Sequence, residues 1–394
     1  MRPREIVPGI YEVGAVDWDR RLFDSLIPLP DGTSYNSYLI KGSEKTVLVD
    51  SVDPTMESIL LNNLSQLELA SIDYVICHHA EQDHAGTIPK ILEMYPEAKV
   101  ITSPKCKGML EDLLNIEPER FITVADKETI SLGDRTLEFI HTPWVHWPET
   151  MVTYLKEDNI LFSCDFFGSH LATTDQYWHD AEHVFEGAKR YFAEIMMPFR
   201  NIIAKNLTKL KDYQIDYIAP SHGPLYDCPG CILEAYDRWV LDEPKNIVVL
   251  PYVSMHGSTR IMVEHLVIAL SQRGVTVKQF DLTVTDIGKL AEALVDAATI
   301  VIGTPTILAG PHPAVAYAAI LANALRPTTK FASIIGSYGW GGKTVETIAA
   351  AIPNLKVEIL DPVLCKGLPK QADLEALDAL ANAIAQKHKE AGFK

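Results

Sequence analysis

The chain has 394 residues, 47% of them hydrophobic and 22% charged, with a formal net charge of −17. That length exceeds what one hydrophobic core organises and points to two domains. The acidic balance argues against non-specific nucleic-acid binding, and no run approaches the roughly 20 apolar residues of a membrane helix, so neither nucleic acid nor membrane is an expected partner.

The amino terminus, Met1-Arg2-Pro3-Arg4-Glu5, has no apolar stretch behind it. No secretory signal is expected there, and the cytoplasm is the expected compartment. Six cysteines do not form a disulfide framework. Residues 1–245 hold many short β segments, at 9–14, 37–40, 46–50, 74–78, 136–141, 151–155 and 160–164. Strands at this spacing predict two packed sheets. Amphipathic helices such as 89–94 and 180–199 are expected to cover them.

Ligand-type side chains recur where these strands end. His79-Ala80-Glu81-Gln82-Asp83-His84 follows the strand at 74–78, and His146 lies between two others. Asp165 follows Ile160-Leu161-Phe162-Ser163-Cys164, and His222 follows Tyr217-Ile218-Ala219-Pro220-Ser221. Carboxyl ends of neighbouring strands converge, so these residues are expected to share one cavity. Imidazoles with three carboxylates suit two metal ions, with Asp165 as the natural bridge because a carboxylate oxygen can serve two cations at once. Glu81 is the informative position, since a zinc hydrolase of this layout carries histidine there. A carboxylate makes the site harder and more anionic, which leans towards iron or manganese. The reading is a non-haem di-iron centre that changes oxidation state, with zinc as the alternative. Cys77 and Cys164 read as buried thiols. Cys228-Pro229-Gly230-Cys231 reads as a surface turn, with a redox or metal role as the alternative.

Pro244 marks a linker, and from residue 246 the pattern becomes regular strand–helix alternation. Strands are expected at 247–252, 275–281, 298–303, 330–336 and 356–360, each followed by a helix. That predicts a doubly wound, five-stranded parallel sheet in a domain spanning 246–394. The first strand leads into Ser254-Met255-His256-Gly257-Ser258-Thr259 and a helix. Backbone N–H groups and the helix dipole make such a loop an anion site. It lacks the Walker and the dinucleotide glycine patterns and fits one phosphate monoester, as in FMN. Two later strands lead into Thr304-Pro305-Thr306-Ile307-Leu308-Ala309-Gly310 and Ser337-Tyr338-Gly339-Trp340-Gly341-Gly342. These loops lie at the same sheet edge, where open α/β sheets bind ligands. Tyr338 and Trp340 offer planar faces to a flavin ring.

Together these residues resemble the flavodiiron proteins, or A-type flavoproteins, over nearly the whole chain. The resemblance implies an α/β chain of two parts. Residues 1–245 would form a metallo-β-lactamase-like αββα sandwich, and 246–394 a flavodoxin-like domain carrying FMN. By motif, His79, Glu81 and His146 would bind one iron and Asp83, His84 and His222 the other, with Asp165 bridging. His146-Trp147-Pro148, Asp165-Phe166-Phe167-Gly168-Ser169-His170 and Ser221-His222-Gly223-Pro224 are also similar to the family's surrounding sequence. His170 and Tyr191 are candidate catalytic residues beside the irons. One segment departs: many members carry Phe-His-Gly-Tyr where this chain reads Phe23-Asp24-Ser25-Leu26, which bears on substrate preference. The family reduces dioxygen to water, nitric oxide to nitrous oxide, or both. The resemblance implies a head-to-tail homodimer, possibly a tetramer. As the minimal two-domain form it would take electrons from an external donor: rubredoxin, a reduced deazaflavin coenzyme or a reductase. The alternatives are a zinc-dependent hydrolase fused to a flavodoxin-like domain, and a flavodoxin-type electron carrier.

Overall fold

The computed structural model describes residues 2–178 and 181–393. The chain divides into two compact units. One comprises Met1–Tyr191 with Phe199–Val240, the other Leu241–Lys394 with Phe192–Pro198.

The first unit is built on two sheets. A seven-stranded sheet runs in the order Arg4–Val7, Ile10–Glu12, Tyr38–Lys41, Thr46–Val49, Tyr74–Ile76, Lys99–Thr102, Phe121–Thr123. A five-stranded sheet runs Thr129–Ser131, Thr136–His141, Met151–Leu155, Ile160–Cys164, Tyr217–Pro220. Strand alternation sorts the side chains of the first sheet onto two faces. Val47, Val49, Ile76 and Ile101 enter one core together with Phe139, Ile160 and Phe162 of the second sheet. Leu48, Val75 and Val100 point the other way, into a core shared with Leu60, Leu64, Ile91 and Leu110. Those four lie on the helices Glu57–Ser65, Ile88–Met94 and Pro104–Leu114. Burying a side chain of this size stabilises the fold by about 1.5–3 kcal/mol. Helix Arg200–Leu210 is tied to the second sheet by Asn206, which donates to the Pro143 carbonyl, and by Lys209, which donates to the His141 carbonyl.

The single helix expected at 180–199 is a shorter helix followed by two tighter or looser turns. Residue 180 lies outside the described residues. The α-helix spans Ala181–Tyr191, then Phe192–Met196 forms a π turn and Met197–Phe199 a 3-10 turn. Pro198 has no N–H and its ring clashes with an α-helical preceding turn, so the helical ladder breaks there.

The second unit is a doubly wound sheet in the order Thr276–Asp281, Lys245–Tyr252, Ala297–Ile307, Phe331–Tyr338, Glu358–Ile359. All four pairings are parallel. The strand expected to end at 360 is an interrupted edge. Val363–Lys366 also pairs in parallel with Phe331–Tyr338, and the break falls at Asp361-Pro362, where proline has no N–H for the ladder. Helices Ser258–Ser271 and Gln371–Glu390 cover one face through Met262, Leu266, Leu377 and Ile384. Helices Ile287–Leu294, Pro313–Leu325 and Thr344–Ala351 cover the other through Leu290, Val315 and Ile348. The strand order reverses between Lys245–Tyr252 and Ala297–Ile307, which opens a ligand crevice at their carboxyl ends. Among the described residues no helix is long and apolar enough to cross a membrane.

His388 pins this unit's last helix to the sheet. Its Nδ1 lies 2.8 Å from Asn246 Oδ1 and its Nε2 2.6 Å from the Thr299 hydroxyl. Burial pushes its pKa down to about 4 from an ordinary 6.5. The unfolded chain therefore binds a proton that the folded chain refuses. Stability is complete above pH 6.5 and falls as the pH drops towards 4, by up to about 3 kcal/mol. Urea midpoints measured across that range test this, and His388→Gln should flatten the slope.

Candidate metal centre and cofactor cavity

All the predicted ligands of the first unit meet at one edge. The strands Thr136–His141, Ile160–Cys164 and Tyr217–Pro220 run in the same direction, since Met151–Leu155 is antiparallel to the first two. Their carboxyl ends deliver His146, Asp165 and His222. Tyr74–Ile76 of the other sheet delivers His79, Glu81, Asp83 and His84, the last two on the short helix Gln82–Ala85. Around Asp165 the chain turns sharply, with Cys164 at φ 54° and Phe167 at φ 70°. A left-handed conformation costs a non-glycine residue roughly 1–2 kcal/mol, and here it swings the carboxylate into the cavity.

The Asp165 carboxylate divides the cluster in two. Its Oδ2 lies 3.1 Å from His79 Nε2 and 3.2 Å from His146 Nε2. Its Oδ1 lies 3.1 Å from His84 Nε2 and 3.4 Å from His222 Nε2. Glu81 Oε2 joins the first set, 3.3 Å from His79 and 3.1 Å from His146. Asp83 joins the second, 3.2 Å from His84 and 3.3 Å from His222. Candidate donor atoms lie within 4.8 Å of one another in each of two groups, His79–Glu81–His146–Asp165 and Asp83–His84–His222.

The donor set fits a pair of cations. Both oxygens of Asp83 and of Asp165, both ring nitrogens of His84 and Nε2 of His146 are buried without a hydrogen-bond partner. Such atoms in a native interior are cation ligands far more readily than orphans. Burial opposes charge on the imidazoles, yet Asp165 and Glu81 push His146 up to about 9, and Asp165 and Asp83 push His222 up to about 10. Burial likewise opposes charge on Glu81, but the close imidazoles of His146 and His79 hold it well below the usual carboxylate range. The site thus demands positive charge, as imidazolium protons or as metal ions. Three carboxylates offset most of the charge of two divalent cations, and the N/O donor set suits iron.

Residues around the ligands fix their orientation, and several carried no sequence signal. His222 Nδ1 donates to the Ser34 carbonyl at 2.6 Å, which leaves Nε2 for a metal. Cys164 Sγ lies 3.3 Å from His79 Nδ1. His78 turns away from the cluster. Its Nδ1 is 2.6 Å from Asp50 and its Nε2 2.8 Å from Thr153, so neither ring nitrogen is free. Adjacent histidines at a strand end point to opposite faces, and that alternation is the signal that could have separated His78 from His79.

His170 Nδ1 is held by the Thr33 hydroxyl at 2.9 Å, while its Nε2 is buried without a partner. Its ring centre is 4.9 Å from that of His222 and 4.8 Å from that of Tyr191. Burial first, then the neighbouring His222, hold His170 well below the ordinary imidazole range. The departing segment lies close by. Leu22–Phe23 and Ile27–Pro28 pair as a tight hairpin whose turn residues Asp24 and Ser25 take φ 49° and 54°. The Phe23 ring centre lies 5.0 Å from that of His170, tilted by 44°, and partial burial with the charges of Glu81 and Asp83 pushes the Asp24 carboxyl up.

The second unit holds a cavity of about 490 Å³ at the expected crevice. All three predicted loops reach it: Ser254, Met255, His256, Ser258 and Thr259 from the first, 305–308 from the second, 337–340 from the third. Gly367, which sequence reading did not single out, completes the wall, while Gly257, Ala309, Gly310, Gly341 and Gly342 do not line it. The first loop opens helix Ser258–Ser271, and the Ser254 hydroxyl accepts from Arg260 N–H at 3.1 Å. Thr259 and Ser337 hydroxyls meet at 3.2 Å, joining first and third loops. Trp340 is 77% exposed and presents an aromatic face at the cavity rim.

Comparison with known proteins follows the same outline. A family model described as ODP family beta lactamase matches residues 33–223. The nitric oxide reductase of Moorella thermoacetica is 35% identical, with 98% of this chain and 99% of that protein covered. The rubredoxin oxygen:oxidoreductase of Desulfovibrio gigas superposes with a TM-score of 0.94 at 29% identity, covering 99% of each chain. The flavodiiron protein of Giardia intestinalis superposes with a TM-score of 0.91 at 31% identity, covering 98% of each.

Proposed function

The chain belongs to the flavodiiron family of A-type flavoproteins, and on that premise we propose that it reduces dioxygen to water, nitric oxide to nitrous oxide, or both, with electrons relayed through FMN. It is an oxidoreductase. The observation that carries the reading is Asp165, whose two oxygens each face one complete set of donors. His79, Glu81 and His146 would hold one iron, and Asp83, His84 and His222 the other. Two irons so held would supply one electron each and a bound FMN two, which would meet the four-electron demand of dioxygen reduction to water.

The chain's own residues set the geometry. Ser34 and Cys164 orient His222 and His79, and buried neighbours keep bulk water out of the cluster. Thr33 fixes the His170 ring through Nδ1 and leaves Nε2 to hydrogen-bond a bound substrate. Tyr191 packs on the same ring. In the second unit, Ser254, Ser258 and Thr259 with the helix N-terminus would take the FMN phosphate. Tyr338 and Trp340 would flank its ring. Rubredoxin or another external donor would reduce the flavin.

Anaerobic stopped-flow is the direct test. Protein reduced under argon is mixed with dioxygen or with nitric oxide, and the flavin absorbance is followed. Reoxidation within the dead time to milliseconds by one or both gases is expected, together with about two irons per chain. Protein that binds zinc and is not reoxidised would return the assignment to the hydrolase alternative.

A head-to-tail homodimer, in which the flavin of one subunit serves the irons of its partner, makes a separate prediction. A His146→Ala chain is mixed with a flavin-free chain under conditions of subunit exchange. One interface of each heterodimer then pairs an intact flavin with an intact iron site. Roughly a quarter of the wild-type rate should return at equal mixing. No recovery after exchange has been verified by mass would rule out the inter-subunit route.

A further inference from the structure

Cys228-Pro229-Gly230-Cys231 takes no part in the metal cluster or the flavin cavity, and its geometry is that of a reactive dithiol. Pro229 opens the helix Pro229–Leu241, so Cys228 immediately precedes the first turn and Cys231 sits on it. Cys231 N–H donates to the Cys228 carbonyl at 3.2 Å and closes that turn. The turn brings the two sulfurs to 2.9 Å, with one thiol donating to the other. Cys228 is exposed and Cys231 half-buried, whereas Cys77, Cys106, Cys164 and Cys365 are all buried. The hydrogen bond with Cys228, ahead of burial, pushes the Cys231 thiol up to about 11. Either thiol can donate to the other, and Cys231 holds its proton more tightly than an isolated thiol. A metal site is the poorer reading, because among the described residues the clusters of three metal-ligand side chains contain neither thiol.

We propose that Cys228 and Cys231 form a redox-active dithiol that exchanges with an external disulfide couple, Cys228 attacking and Cys231 resolving. Cys228 thiolate attacks one sulfur of the incoming disulfide, forms a mixed disulfide and expels the first thiolate. Cys231 then loses its proton and attacks the Cys228 sulfur. The internal disulfide forms and the second thiolate leaves. The two thiol protons go to the two leaving thiolates, and two electrons pass from the dithiol to the incoming disulfide, which is reduced. Exposure selects Cys228 as the first nucleophile, and the neighbouring sulfur makes the second step intramolecular.

The test uses the flavin- and iron-loaded protein under argon. It is equilibrated with glutathione and glutathione disulfide at rising oxidising ratios, quenched in acid, alkylated and mapped by mass. Cys228 and Cys231 should lose their label together, as one two-electron couple, while flavin absorbance and iron content stay constant. In C231S, which removes only the resolving thiol from a surface turn, glutathione should accumulate on Cys228. In C228S it should not accumulate on Cys231. A parallel arm offers the disulfide of a thioredoxin-fold protein, and the faster of the two oxidants identifies the source of the couple. The proposal fails if both thiols keep their label at the most oxidising ratio. It fails equally if they lose it independently, or if the two single variants take up glutathione alike.

Discussion

Glu81→His should lower turnover by roughly 100-fold or more and exchange iron for zinc, since loss of even an outer partner of a metal ligand typically costs 10–100-fold. Glu81 Oε2 stands between His79 at 3.3 Å and His146 at 3.1 Å. Histidine there supplies a ligand but no charge. The carboxylates facing two cations fall from three to two, and oxidised iron loses most from that change because it carries the highest charge. Zinc, which undergoes no oxidation, is bound well by imidazole and becomes the favoured ion. The fold should survive. Glu81 precedes the helix Gln82–Ala85 but its side chain makes no capping bond there, so the substitution removes no structural contact beyond the cluster. Metal analysis of protein from iron-replete cells, a melting curve and the stopped-flow assay together make the test. A variant with unchanged iron and unchanged turnover would mean that Glu81 does not select the metal.

How far the site could be read from sequence follows from what makes each residue visible. His79, Glu81, Asp83, His84, His146, Asp165 and His222 stand out because each follows an apolar strand, and strand ends are where the chain must leave the sheet. The structure brings these seven to one place. Ser34 orients the ligand His222, while Asp50 and Thr153 hold His78 and Thr33 holds His170 beside the cluster, yet all four look like ordinary strand polar residues, since their partners lie tens of residues away. Ser34, for example, reaches His222 across 188 positions. The π turn at Phe192–Met196 was hidden for a different reason: its composition matches the helix before it, and only Pro198 marks the break. In the second unit the strand–helix alternation was plain. The edge strand was misjudged because Pro362 interrupts a ladder that resumes at Val363.

Gly257→Val should strip most of the flavin, and the cause would be backbone conformation rather than a blocked cavity. Gly257 caps helix Ser258–Ser271 at φ 87°, in the left-handed region. A Cβ placed there meets no atom within 4 Å, so the protein itself offers no clash. Nor does Gly257 line the cavity, although its neighbours on both sides do. Its part is to let the chain turn so that Ser258 and Thr259 start the helix with their N–H groups aimed at a phosphate. A β-branched residue held in that region costs about 1–3 kcal/mol, equal to roughly 5–140-fold in flavin affinity at 1.4 kcal/mol per decade. Asparagine tolerates the same conformation, so Gly257→Asn should keep considerably more flavin than Gly257→Val. Flavin content by absorbance, and FMN titration of the stripped proteins, measure both. If Val and Asn lose flavin alike, the side chain obstructs the phosphate directly. If Val retains full flavin absorbance, this loop is not the phosphate site.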